Sequence, residues 1–264
     1  MVTPQQISEY MKRVPPLPEA LSRSLKSLAE GDLAAAARAA SADPALIRYL
    51  KDVVNSAAYG FKQELKEPMQ IFSALGIQRA RQLLYAYMVN SVAPEKWGYF
   101  ALEREEFGNF QLSFMRKWEK IVSAENFDER FMSAAAVMSA GLIVADAIFA
   151  DRASDVALIR ESGDFDLDTI LERVSSLNFE RLVATIAEKW EVQSDIVRLV
   201  SLAFGKEECD GDELCRAARF LHLLLFYELS RPRMLEAGAN SFISFNQEFA
   251  TPVLERFEEI VGVE

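Results

Sequence analysis

The chain has 264 residues, half of them hydrophobic, and carries 29 basic against 40 acidic side chains for a net charge of −11. Such a chain can bury a large core in one large or two small domains, while its charge opposes association with nucleic-acid phosphates or an anionic membrane. Its single histidine, His222, excludes a multi-histidine metal centre.

Apolar residues recur at spacings of three and four almost throughout and strand signals are nearly absent, so the pattern predicts an all-α protein. Thr3 and Pro4 open a helix carrying Ile7, Tyr10, Met11 and Val14, which the extended run Val14 to Pro18 ends. Leu21, Leu25 and Leu28 mark one face of a second helix closed by Gly31, and Asp32 caps a third. Asp43 and Pro44 repeat the cap-plus-proline start before the stripe Leu46, Ile47, Leu50, Val53 and Val54. After a charged connector from Lys62 to Glu67, short helices are expected over Pro68 to Leu75 and Gly76 to Val92.

Pro94, Trp97 and Gly98 mark a break, placing an N-terminal helical lobe over 1–98 and a second lobe over 99–264. A long helix from near Glu103 carries Phe107, Phe110, Phe114, Trp118 and Ile121. Phe131 to Ala150 is long enough to cross a bilayer, with Asp146 its only charge, yet its small residues suit close packing in a buried central helix. Further helices are expected around Leu167 to Val174, Phe179 to Trp190, Ser194 to Phe204, Glu213 to Leu229 and Ser244 to Ile260. No 20- to 50-residue period repeats, which disfavours a solenoid.

The usual signatures of chemistry are missing. There is no phosphate-binding glycine loop, no dinucleotide fingerprint and no nucleophile elbow, and His222 sits among Leu221, Leu223, Leu224 and Leu225 as a core histidine would. Asp164, Asp166 and Asp168 start like a calcium loop, but Thr169 and Ser175 stand where glycine and a bidentate glutamate belong, so the run reads as a helix cap. Asp210, Gly211, Asp212 and Glu213 read likewise as a loop entering a helix. Cys209 and Cys215 make neither a disulfide framework nor a zinc site, which fits a reducing cytoplasm, and no secretion signal is evident.

VPPLPEAL, ADPAL, VVNSAAYG and a connector ending in SALG follow one another between residues 14 and 76. Together they resemble the HDOD family of helical signalling domains, relatives of the metal-dependent HD phosphohydrolases that lack the metal ligands. Pro15, Pro16, Leu17 and Pro18 match its opening element, and Asn55, Ser56, Tyr59 and Gly60 its NSxxYG signature. Leu65 stands in the place of a connector isoleucine, and Leu75 with Gly76 matches the LG that follows. The resemblance extends to about residue 205. Ala140 to Ile143 resemble the AGLL run that leads into the histidine and aspartate of the enzymes, where this chain has Val144 and Ala145. Leu112 stands where some relatives keep a histidine.

The resemblance implies an HD-like helical bundle in the second lobe and a noncatalytic bacterial signalling module that acts through protein–protein interaction, without cofactor or metal. Asn55, Ser56, Tyr59, Gly60 and Arg79 are the expected partner contacts, unless they only close a helix and pack on the core. The expected partner is an unidentified signalling protein rather than nucleic acid or membrane, with homo-oligomerisation left open. Two alternatives stand beside this: a sensor of a nucleotide or other small ligand in the degenerate HD pocket, and a residual metal-dependent phosphohydrolase.

Overall fold

The computed structural model describes residues 17–56, 61, 63–207, 209 and 211–262. The expected first helix, Pro15, Pro16, Tyr59 and Gly60 lie outside them. The described residues are helical, with no strand beyond an isolated antiparallel bridge between Lys96 and Glu103. They fall into two compact units, Pro16–Ser91 and Val92–Glu264.

The first unit holds α1 (Glu19–Ala29), α2 (Leu33–Ala40), α3 (Pro44–Val54) and most of α4 (Pro68–Val92). Leu21, Leu25 and Leu28 of α1 face an alanine surface on α2, made by Ala36, Ala37 and Ala40. Without branched side chains there the helices approach closely enough for the buried Ser24 Oγ to donate to the Ala36 carbonyl at 3.0 Å. Asp32 caps α2 through the amide of Ala35, and Asp43 caps α3 through Ala45 and Leu46. The other oxygen of Asp43 accepts from the Tyr87 hydroxyl at 3.1 Å. Burial first, then the Asp43 carboxylate, push the Tyr87 phenol up to about 12, so it stays a donor over the working pH range. Non-helical dihedrals at Gly76 (φ 72°, ψ 177°) divide α4 where two helices are expected.

The second unit comprises α5 (Arg104–Glu125), a 3-10 turn (Glu129–Ser133), α6 (Ala134–Asp151), α7 (Ala153–Ser162), α8 (Leu167–Ser175), α9 (Phe179–Lys189) and α10 (Ser194–Leu202). After these come α11 (Glu213–Leu229), α12 (Pro232–Glu236), α13 (Gln247–Ala250) and α14 (Leu254–Val261). Asp166, Asn178 and Asp212 cap α8, α9 and α11, so one aspartate of each acidic cluster is a helix cap, while Asp168 accepts the Phe179 amide and pairs with Lys206. The apolar run is the central α6, which packs against α5, α8, α9 and α10 and is buried over 89% of its most apolar stretch.

Small residues make that central position sterically feasible. A Cβ added at Gly141 would meet Val183 Cγ2 at 2.5 Å and the Phe179 ring at 2.8 Å, so α9 approaches α6 over a side-chain gap. Gln111 of α5 donates to Ser139 of α6 at 3.0 Å, and Ser139 donates to Ala136, which satisfies the buried polar groups on the opposite side.

Three details differ from expectation. The C-terminal helix is broken into α13, a 3-10 turn at Thr251–Val253 and α14, because Pro252 removes an amide from the ladder. The helices α7 and α12 are additional; each buries one side chain, Val156 and Met234, so neither writes an apolar stripe into the sequence. Finally, Cys209 and Cys215 form a disulfide rather than two reduced thiols. The bridge is local, joining residues six apart at the start of α11, so reasoning from multi-bridge frameworks does not reach it.

A methyl group at position 141 has to be accommodated by shifting α9. Gly141→Ala is expected to cost about 2 kcal/mol through overpacking, although alanine has the higher helix propensity. Urea unfolding measures this; a gain in stability would show that α6 and α9 are not in close contact at this glycine.

Candidate functional site

Among the described residues, one face of α6 does not reach a neighbouring helix. Ala140, Ile143, Val144 and Ala147 instead line a partly open cavity of about 240 Å³, whose far wall is Ile186 and Trp190 at the end of α9. The segment from Val92 to Lys96 closes the side, and Asp146 and Lys96 are the charged residues among the described lining. Val144 therefore borders the cavity, whereas Ala145 is fully buried in the core.

Asp146 is 4% exposed and has a specific set of partners. Its Oδ2 accepts from the amide of Gly98, and its Oδ1 from the amides of Tyr99 and Phe100, each at 2.9 Å. Three successive N–H groups thus converge on one carboxylate and pin the loop between α4 and α5 to the centre of α6. Gly98 permits the approach, since a Cβ there would sit 2.8 Å from Ala150 Cβ. The rest of the loop is fixed by the amide of Trp97 on the Leu102 carbonyl at 3.0 Å and by the Lys96–Glu103 bridge. Trp97 is buried against Phe107, with ring centroids 4.8 Å apart.

These residues do not fit the divalent metal of HD phosphohydrolases. Val144 and Ala145 have no donor atoms, both oxygens of Asp146 are engaged by amides, and no group of three or more histidine, cysteine, aspartate or glutamate residues converges among the described residues.

His222 lies elsewhere, fully buried in α11. Its Nδ1 is 2.9 Å from the Ala203 carbonyl and its Nε2 is 3.1 Å from the amide of Asn246, which assigns the neutral tautomer with the proton on Nδ1. Burial pushes its pKa below the ordinary 6.5, with the Ala203 bond opposing. The imidazole joins the end of α10 to the segment before α13, as the leucine-rich context suggests.

The described part of the NSxxYG motif also has structural work. Asn55 clamps the backbone of Leu65, donating from Nδ2 to its carbonyl at 3.0 Å and accepting its amide on Oδ1 at 2.8 Å. Ser56 donates to the Val53 carbonyl at 2.7 Å at the end of α3. Arg79 is exposed on α4. The asparagine therefore ties the motif to the connector residue in the resemblance, through a pairing ten residues apart that spacing alone does not reveal.

A polar group that sequence reasoning missed spans α5 and α11. Glu228 is completely buried, ion-paired with Lys117 and hydrogen-bonded by Ser113 at 3.0 Å; Arg231 also donates to Ser113 at 3.0 Å. The sequence signal is slight, a glutamate near the end of an otherwise apolar helix.

Residues 14–203 match the family model of the HDOD domain. Among solved structures, the chain is similar to an HDOD domain protein of unknown function from Geobacter sulfurreducens, with a TM-score of 0.64 and 14% identity over 98% of this chain and 95% of that one. It is also similar to a candidate phosphohydrolase from Shewanella amazonensis SB2B, with a TM-score of 0.66 and 16% identity over 98% and 87% of the two chains. A candidate signal transduction protein from Marinobacter aquaeolei VT8 gives a TM-score of 0.64 at 18% identity, covering 94% of this chain and 57% of its own. No curated protein matches.

Two outcomes follow from the geometry. Asp146→Asn keeps the shape but presents one acceptor oxygen to three amides and turns an NH₂ toward a donor, so it is expected to lower stability by about 2 kcal/mol in urea unfolding. An unchanged midpoint would remove Asp146 as the anchor of the loop. His222 is neutral in both the folded and unfolded chain above its ordinary 6.5, and below it the unfolded chain binds the proton first. Its contribution is thus complete above about pH 6.5 and declines by up to ~1.4 kcal/mol per pH unit until the lowered folded pKa is reached. The difference in stability between pH 7.5 and 5.5 should be smaller in His222→Gln, and an equal difference would contradict a neutral buried imidazole.

Proposed function

From the membership of this chain in the HDOD domain family, we propose that it is a noncatalytic signalling module that works through contact with another protein. The observation that carries this reading is the employment of Asp146. The one carboxylate beside the aliphatic pair Val144 and Ala145 is held by three backbone amides, so it has little capacity left to bind a metal or move a proton. A phosphohydrolase at this position would need a positioned cation and an activated water. The aliphatic lining supplies groups for neither.

Partner contact falls to the first unit in this proposal. Asn55 and Ser56 act there by holding the connector and the end of α3, and the exposed Arg79, Phe61 and Met69 supply charge and apolar surface. A second reading, sensing of a small ligand, is favoured by the cavity beneath Val144. It is compatible with the first, since a ligand bound to one state of the module shifts its population.

Metal analysis of the purified chain, together with hydrolysis of bis(p-nitrophenyl) phosphate in added manganese, tests the noncatalytic reading. The expected result is no stoichiometric metal and no hydrolysis above the buffer rate. Saturable manganese-dependent turnover that co-purifies with the protein would overturn it.

A further inference from the structure

The cavity below Val144 has an uneven chemistry. Its walls are aliphatic and aromatic, from Ala140, Ile143, Val144, Ile186 and Trp190, and offer little to hydrogen-bond a base or a ribose. At about 240 Å³ it falls below the ~300–1,000 Å³ that takes a drug-sized ligand, so the occupant has a short apolar body.

The two charges on the lining differ in what they leave for a ligand. Asp146 spends both oxygens on the amides of Gly98, Tyr99 and Phe100, whose dipoles offset its charge. Lys96 is exposed and forms no ion pair among the described residues. Its backbone is held by the bridge to Glu103, and the loop that follows is held by Asp146. The cation therefore stands on an anchored segment beside an apolar hole.

We propose that this cavity binds a small monocarboxylate with an apolar body, a medium-chain acyl group or a single-ring aromatic acid, with its carboxylate on Lys96 and its body between α6 and α9. A monoanion matches Lys96, the one cation among the described lining residues. A phosphate group would bring a second negative charge with no second cation among the described lining residues to meet it, and an amine would meet Lys96 as a like charge. The assignment rests on the ligand-sensing reading above and names its ligand class.

The test is calorimetric titration of the full chain with octanoate, 1-octanol, octylamine and AMP. Octanoate is expected to bind saturably at one site, 1-octanol more weakly, and octylamine and AMP not at all. Lys96→Met changes an exposed side chain and should weaken octanoate about tenfold while leaving 1-octanol unchanged. Ala147→Phe, at a half-buried wall, should abolish both; Lys96→Met carries the test if that variant does not fold. Failure of octanoate to bind, undiminished octanoate binding in Lys96→Met, or AMP displacing octanoate would each overturn the proposal. Failure of octanoate without manganese-dependent turnover removes the ligand class and leaves the noncatalytic reading standing, whereas such turnover overturns the noncatalytic reading whatever octanoate does.

Discussion

The interaction on which the second unit depends is the set of three amide bonds to Asp146. Desolvating a carboxylate in the middle of an apolar helix costs several kcal/mol unless its lone pairs are met, and charge-assisted bonds from backbone N–H groups return about 1.5–3 kcal/mol each. Here the donors come from three consecutive residues, so the compensation also determines a loop conformation. That loop seats Trp97 on Phe107, places Phe100 against Phe149 and Phe242, and carries Lys96 to the cavity rim. A single charge in α6 thus organises the backbone, an aromatic cluster and the entrance to the cavity.

The composition of α6 makes this arrangement reachable. A helix rich in leucine would hold its neighbours further away by the thickness of a side chain. With Ala134, Ala135, Ala136, Ala140, Gly141 and Ala145 on its surface, α6 can be surrounded closely, and the buried area comes from the partners' larger side chains. The same smallness leaves space where none of the described helices arrives, and the cavity opens there at Ala140 and Ala147.

Much of the fold could be read from the chain because helix caps are local. Asp32, Asp43, Asp166 and Asp212 each sit two or three residues from the amide they accept, within the range over which sequence spacing is informative. The buried character of Phe131 to Ala150 and the structural role of His222 were legible for a similar reason, since their flanking residues are apolar. What spacing could not show is long-range polar pairing. The bond from Gly98 to Asp146 spans 48 positions and that from Ser113 to Glu228 spans 115, and neither leaves a pattern in its neighbourhood. The position of Val144 and Ala145 followed from resemblance, but the fact that only Val144 borders the cavity required the rotation of α6 about its axis.

The imidazole and the carboxylate, in separate places, follow the same rule. In a metal centre both groups would turn their lone pairs toward one cation, and the surrounding backbone would be free of them. In this chain His222 bridges Ala203 and Asn246, while Asp146 gathers Gly98, Tyr99 and Phe100, so each spends its bonding capacity on main-chain groups that would otherwise be buried without partners. Among the described lining residues, a ligand entering the cavity consequently meets hydrocarbon and the Lys96 ammonium rather than a group of metal ligands. On the ligand-sensing proposal, recognition there comes from shape and from the Lys96 charge.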